Sequence, residues 1–192
     1  MDVTFHFDPA CPWTWRTSRW LLSVAPERDL AVRWRPFSLA LLNDEPPPDE
    51  FREMMAASTK ALRLIEALQA AGRNDDAGRF YTALGTHTFE SMNPLTDASV
   101  RAAAEAAGVA DAAGALDDAS WDEAVRRSHT TAWEAAGPDI GSPVLTVDGV
   151  TRGVHGPIVG EVTDKAEALA IWDAVEPLLR TPTFFEVKRG RP

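Results

Sequence analysis

Val3, Phe5 and Phe7 are apolar, and Thr4 and His6 between them are polar, a period of two that predicts a short strand with one apolar face. Asp8-Pro9-Ala10-Cys11-Pro12 breaks the alternation, and Trp13 to Val24 reads as a helix. Pro12 suits the first turn of that helix, where its missing N–H costs nothing and its fixed φ already matches. Leu30 to Phe37, with Val32, Trp34 and Phe37, predicts a second strand, and Pro36 places it at a sheet edge or a strand end. Residues 1–40 therefore read strand–helix–strand, long enough for a parallel β-α-β unit.

Glu45-Pro46-Pro47-Pro48 marks a boundary. Beyond it Asp49 can cap a helix from about Glu50 to Ala71, with Phe51, Met54, Met55, Leu62, Ile65 and Leu68 near helical spacing and Gly72 at its end. Shorter helical patterns cover Ala77–Leu84 and Asp97–Ala107; nine of the 15 residues from Arg101 to Ala115 are alanine, the strongest helix former. Ser120–Ala136 is a fourth, stopped by Gly137-Pro138. Strand character returns at Val144-Leu145-Thr146-Val147, and Asp148-Gly149 predicts a tight hairpin into a partner strand from Val150 onward. Asp164-x-x-Glu167 resembles a capping box opening a last helix to about Leu179, with Leu169, Trp172 and Val175 on one face and Pro177 distorting its final turn. The chain is α/β: sheet-forming segments at 1–44 and 138–192 enclose an all-helical block at 45–137.

Composition narrows the function classes. With 192 residues, 45% hydrophobic and 25% charged, the chain suits a single domain, or one domain carrying a large insertion. A net charge of −10 argues against nucleic acid, which needs a basic face. The acid excess is concentrated in the middle, as on a solvated helical surface. No apolar run reaches membrane-spanning length and Met1-Asp2-Val3-Thr4-Phe5 carries no signal-peptide features, so a cytoplasmic protein without membrane contact is expected. The four histidines (His6, His87, His129 and His155) lack ligand spacing and cysteine occurs once, so no metal site is expected.

That cysteine, Cys11, stands where a strand passes into a helix. A thiol there faces the unpaired N–H groups and positive end of the helix, which favour thiolate over thiol. A free cysteine is only about 3 per cent thiolate at pH 7, so such a position can turn an idle sulfur into a nucleophile. The bland alternative is a small buried hydrophobe.

Phe7-Asp8-Pro9-Ala10-Cys11-Pro12-Trp13-Thr14-Trp15, followed by Thr17-Ser18-Arg19-Trp20-Leu21, resembles the DsbA-like proteins of mycothiol-using actinobacteria, in the branch of the mycothiol-dependent nitroreductases. Ser38–Asn43, Tyr81–Gly85, Gly141-Ser142-Pro143-Val144, Gly156-Pro157 and Phe184–Arg189 match as well, in the family's order. The resemblance implies a thioredoxin fold interrupted by a helical domain, as in DsbA and kappa-class glutathione transferases. It also implies that Pro143 is that fold's cis-proline, lying against Cys11, with the Ser142 backbone left free to pair with an extended thiol substrate. Homodimers are common among such relatives, and a homodimer is a further expectation.

One departure bears on mechanism. Many relatives carry a second, resolving cysteine where this chain has Thr14. Without it a mixed disulfide on Cys11 must be released by an outside thiol, so a low-molecular-weight thiol of the mycothiol kind is the expected cosubstrate and partner. Thr14 can donate its hydroxyl to the Cys11 sulfur or merely fill space. Pro12 and Trp13 line the turn, Trp13 offering a flat face to a substrate ring. Asn43 can hydrogen-bond a ligand or cap a turn. Three functions fit: reduction of mixed disulfides or of electrophiles such as nitro compounds; a kappa-like thiol transferase or isomerase, whose members commonly carry Ser in place of Cys11; and a redox-inactive binding module.

Overall fold

The computed structural model describes residues 1–43 and 45–190. The expected boundary after residue 44 falls on a residue outside those described. Its sheet has four strands in the order β2-β1-β3-β4: β1 Asp2–Phe7, β2 Ala31–Pro36, β3 Val144–Val147 and β4 Val154–His155. β1 is central, parallel to β2 (Val3 opposite Val32, Phe5 opposite Trp34) and antiparallel to β3 (Phe5 opposite Leu145). Val3, Phe5 and Phe7 are wholly buried, and His6 on the other face is buried as well. Both faces of the strand are covered, which the alternating pattern alone does not reveal.

Helix α1, Pro12–Val24, joins β1 to β2 and packs on α7, Lys165–Leu179, where Trp20 Nε1 donates to the Ala168 carbonyl at 3.0 Å. After the short α2, Leu39–Leu42, come α3 (Asp49–Ala70), α4 (Asn74–Gly85), α5 (Asp97–Ala106) and α6 (Asp122–Ala136). Asp49 lies in the first turn of α3, preceded by Pro48, where its carboxylate complements the helix dipole without capping. The alanine-rich run breaks at Gly108, whose φ of +73° ends α5, and resumes as 3₁₀ turns over Ala110–Leu116. Among the described residues, buried Leu64, Ile65, Phe80 and Tyr81 of α3 and α4 belong to the same hydrophobic cluster as Val3, Phe5 and Phe7 of the sheet.

The hairpin expectation needs correction. Asp148-Gly149 does turn the chain, with Gly149 at φ +76° and Val150 N–H donating to the Val147 carbonyl at 3.4 Å. The strand that pairs with β3, however, is Val154–His155, in register Val144 with His155 and Leu145 with Val154. Gly153 N–H is drawn instead to the Ala135 carbonyl at the end of α6, 3.0 Å away, which holds the preceding residues off the ladder. Pro177 lies inside α7, and the helix continues past it to Leu179.

Candidate active site

The site grows from a turn. Cys11 N–H donates to the Asp8 carbonyl at 3.1 Å, and Ala10 N–H donates to Asp8 Oδ1 at 2.8 Å. Asp at the first position and Pro at the second are what such a turn favours, the aspartate side chain reinforcing it from within. Cys11 then occupies the N-cap of α1 in extended conformation (φ −90°, ψ 114°), with Pro12 as the first helical residue. Its sulfur does not cap the helix. The half-buried thiol points across to the carbonyl of Ser142, Sγ to O 3.7 Å.

Ser142 enters from the far end of the chain because β3 is hydrogen-bonded beside β1. The Ser142–Pro143 peptide is cis. Asp8 N–H donates to Ser142 Oγ at 3.0 Å, and Thr14 Oγ1 lies 2.8 Å from the same oxygen. Cys11, Thr14 and the Ser142–Pro143 loop are thus brought together. The Thr14 hydroxyl, one of whose expected roles was as a donor to Cys11, is engaged by Ser142. Pro12 is exposed and Trp13 half-buried, with the Arg16 guanidinium 5.2 Å from its ring centroid. Asn43 stands apart from this cluster: it terminates α2, and its Nδ2 donates to the Leu39 carbonyl at 2.8 Å, a turn-capping role.

Several site residues were not singled out by sequence reasoning. The Asp8 carboxylate, 1% exposed, accepts from Ala10 N–H, from Leu39 N–H at 2.7 Å and from Ser58 Oγ of α3 at 2.5 Å. Burial pushes its pKa up, and the three hydrogen bonds oppose that shift. The Asp-Pro dipeptide is the available signal in the sequence, and locally it reads only as a strand breaker. Behind the turn, Trp15 meets Tyr81 edge-on at 5.6 Å and stacks on Phe89 at 6.1 Å, under an Arg19 guanidinium 3.9 Å from its centroid. Gly85 makes room for that ring: a Cβ there would fall 2.1 Å from it. Burial also raises the Tyr81 phenol above its ordinary pKa.

The histidines lie elsewhere. His6 is held neutral, its pKa lowered to about 4 by burial and then by Arg35. His129 Nδ1 accepts from Ser38 N–H at 3.3 Å, and burial lowers its pKa too. His87 sits in a π-helical turn at Thr86–Glu90, and His155 is exposed. Among the described residues no group of three or more His, Cys, Asp or Glu is arranged to hold a metal. A groove of about 710 Å³ is bounded by Ile140, His155, Ile158, Phe184 and Phe185, and Cys11, Ser142 and Pro143 are not among its lining residues. No helix among the described residues is long and apolar enough to cross a membrane.

With this geometry in view, residues 10–189 match the family described as Rv2466c-like, mycothiol-dependent nitroreductase Rv2466c. The chain belongs to that family. It is 30% identical over 199 residues to the uncharacterised protein Rv2286c of Mycobacterium tuberculosis (strain ATCC 25618 / H37Rv), covering 98% of this chain and 82% of the relative. Among solved structures it is similar to the disulfide oxidoreductase DsbA of Proteus mirabilis (TM-score 0.57, 17% identity, 93% of this chain and 88% of that one). It is also similar to a 2-hydroxychromene-2-carboxylate isomerase (TM-score 0.61, 15% identity, 94% and 97%). At these identities the structures establish the fold alone, the DsbA-like thioredoxin fold that the resemblance implied. The matched residues 10–189 include Cys11 and Ser142–Pro143.

Proposed function

We propose that this chain is a monothiol oxidoreductase in which Cys11 exchanges disulfides with a low-molecular-weight thiol of the mycothiol kind. The observation that carries the reading is the meeting of Cys11, at the N-cap of α1, with the Ser142 backbone carbonyl 3.7 Å away. The first amides of α1 have no intrahelical partners and lie at the positive end of its dipole, next to the reacting sulfur. The Ser142 carbonyl supplies one side of an added-strand contact for an extended thiol substrate.

The exchange proceeds by attack of the Cys11 sulfur on a substrate disulfide, which forms a Cys11–S–S–R bond and expels the other half as thiolate. As Cys11 is the single cysteine, release falls to a second small-molecule thiol: its thiolate attacks the R-bound sulfur, expels the Cys11 thiolate and leaves joined to that sulfur as a disulfide. Turned on a nitro compound, the same thiol pool balances as one nitro group and two thiols giving a nitroso group, one disulfide and one water. Residues 45–137 form the inserted helical block of this enzyme, and Pro12 and Trp13 border the substrate path.

Mass spectrometry after incubation with mycothiol disulfide tests the reading: one adduct is expected, and none in Cys11→Ser. Absence of the adduct from the wild-type chain defeats the proposal, and turnover surviving in Cys11→Ser shifts the assignment to a kappa-like transferase. An adduct without turnover of any disulfide or nitroaromatic substrate leaves a binding module.

A further inference from the structure

Every polar group of Asp8 is used, and the two sides of the reactive gap are tied to this one residue. Its carbonyl accepts from Cys11 N–H at 3.1 Å, while its N–H donates to Ser142 Oγ at 3.0 Å. Its carboxylate holds that peptide in place through Ala10 N–H, Leu39 N–H and Ser58 Oγ, which belong to the active turn, the start of α2 and α3 of the helical block. Three donors converge on two oxygens, so the site requires a group that only accepts. An asparagine of the same shape would turn its NH₂ toward either the Ala10 or the Leu39 N–H, whichever way it flips, and leave a buried donor unpaired.

We propose that Asp8 is a positioning residue that sets Cys11 against the Ser142–Pro143 loop, with Ser58 as the helical block's hold on that arrangement. The inference rests on the reading of Cys11 as the nucleophile. Reacting atoms must approach within about 3–3.5 Å, and a misplacement of about 1 Å can cost about 100-fold in rate. Asp8 therefore acts on reactions that need both sides of the gap and spares those that need the sulfur alone.

The test compares two rate constants in the full chain: alkylation of Cys11 by iodoacetamide, and mixed-disulfide formation with mycothiol disulfide. Asp8→Asn is expected to slow the second at least about tenfold, the loss of a hydrogen bond to a charged group, while leaving the first within about threefold. Ser58→Ala, which keeps both backbone donors, is expected to move the same ratio in the same direction by a smaller factor, and it carries the test should Asp8→Asn not fold. Equal changes in both rates, or no change in either, overturn the positioning role. A wild-type chain that forms no mixed disulfide defeats the functional reading instead. The positioning claim is then judged on a crystal structure of Asp8→Asn or Ser58→Ala: a Cys11 Sγ to Ser142 O separation beyond the present 3.7 Å upholds it, and an unchanged one overturns it.

Discussion

Thr14 illustrates how one side chain sets the chemistry. It is fully buried and shares a hydrogen bond with Ser142 Oγ, so its hydroxyl links the first turn of α1 to the cis-proline loop. Thr14→Val keeps the shape and removes the hydroxyl; chemical denaturation should show a loss of about 1 kcal/mol, the typical net worth of one internal hydrogen bond. Thr14→Cys recreates the dithiol pattern, and thiol titration after mild oxidation should then find no free thiol, against one in the wild type. His6 contributes to acid sensitivity. Its pKa is depressed from 6.5 to about 4, so the unfolded chain binds a proton across that interval that the folded chain does not. The stability contributed by neutral His6 is complete above pH 6.5 and is lost as pH falls through that window, a total of about 3 kcal/mol. Asp8 works in the opposite sense, since burial raises its pKa against the three hydrogen bonds that favour its carboxylate. Urea midpoints measured from pH 7 to pH 4 should therefore fall less steeply in His6→Gln than in the wild type.

Helix α4 shows how an element holds the site from behind. Gly78 and Gly85 are two turns apart on one face, and each gives way to a tryptophan: a Cβ at Gly78 would lie 2.5 Å from Trp34 Nε1, and one at Gly85 would lie 2.1 Å from the Trp15 ring. The second ring is enclosed by Tyr81, Phe89 and Arg19 and has little room to retreat. Gly85→Ala should destabilise the protein by about 1–3 kcal/mol through overpacking, despite alanine's higher helix propensity. Gly114→Ala is the control, since nothing lies within 4 Å of its added carbon. Near-zero cost at Gly85 in urea unfolding would contradict the close approach of α1 and α4.

At the scale of the molecule, one hydrophobic cluster runs from the sheet into α3, α4 and α5. Arg63 of α3 adds a two-point ion pair with Asp122 of α6, at 2.6 and 2.8 Å, within the helical block itself. A shared core couples the sheet and the helices energetically, so both should unfold in one transition. Far-UV circular dichroism and tryptophan fluorescence are expected to give coincident urea midpoints; two separated midpoints would show that the helical block unfolds by itself.

The elements were legible wherever local rules decide. Period-two alternation at Val3–Phe7, the Pro12 start of α1, the Asp164 cap of α7 and the helical spacing of α3 can each be read within a few residues of chain. The partner strand of β3 was displaced because a carbonyl on α6, remote in sequence, claims Gly153. Asp8 escaped notice because an isolated aspartate before proline reads as a turn, and its burial depends on Leu39 and Ser58 arriving from other elements. By itself the amino-acid order determined the first three strands and the main helices, the position of the lone thiol at a helix start, and the family to which the chain belongs. The family resemblance implied the Ser142–Pro143 loop opposite that thiol, but only tertiary structure decided the contacts themselves, since the Ser142 carbonyl and the hydroxyls of Thr14 and Ser142 meet through sheet pairing across more than a hundred residues, a long-range contact that no local propensity encodes.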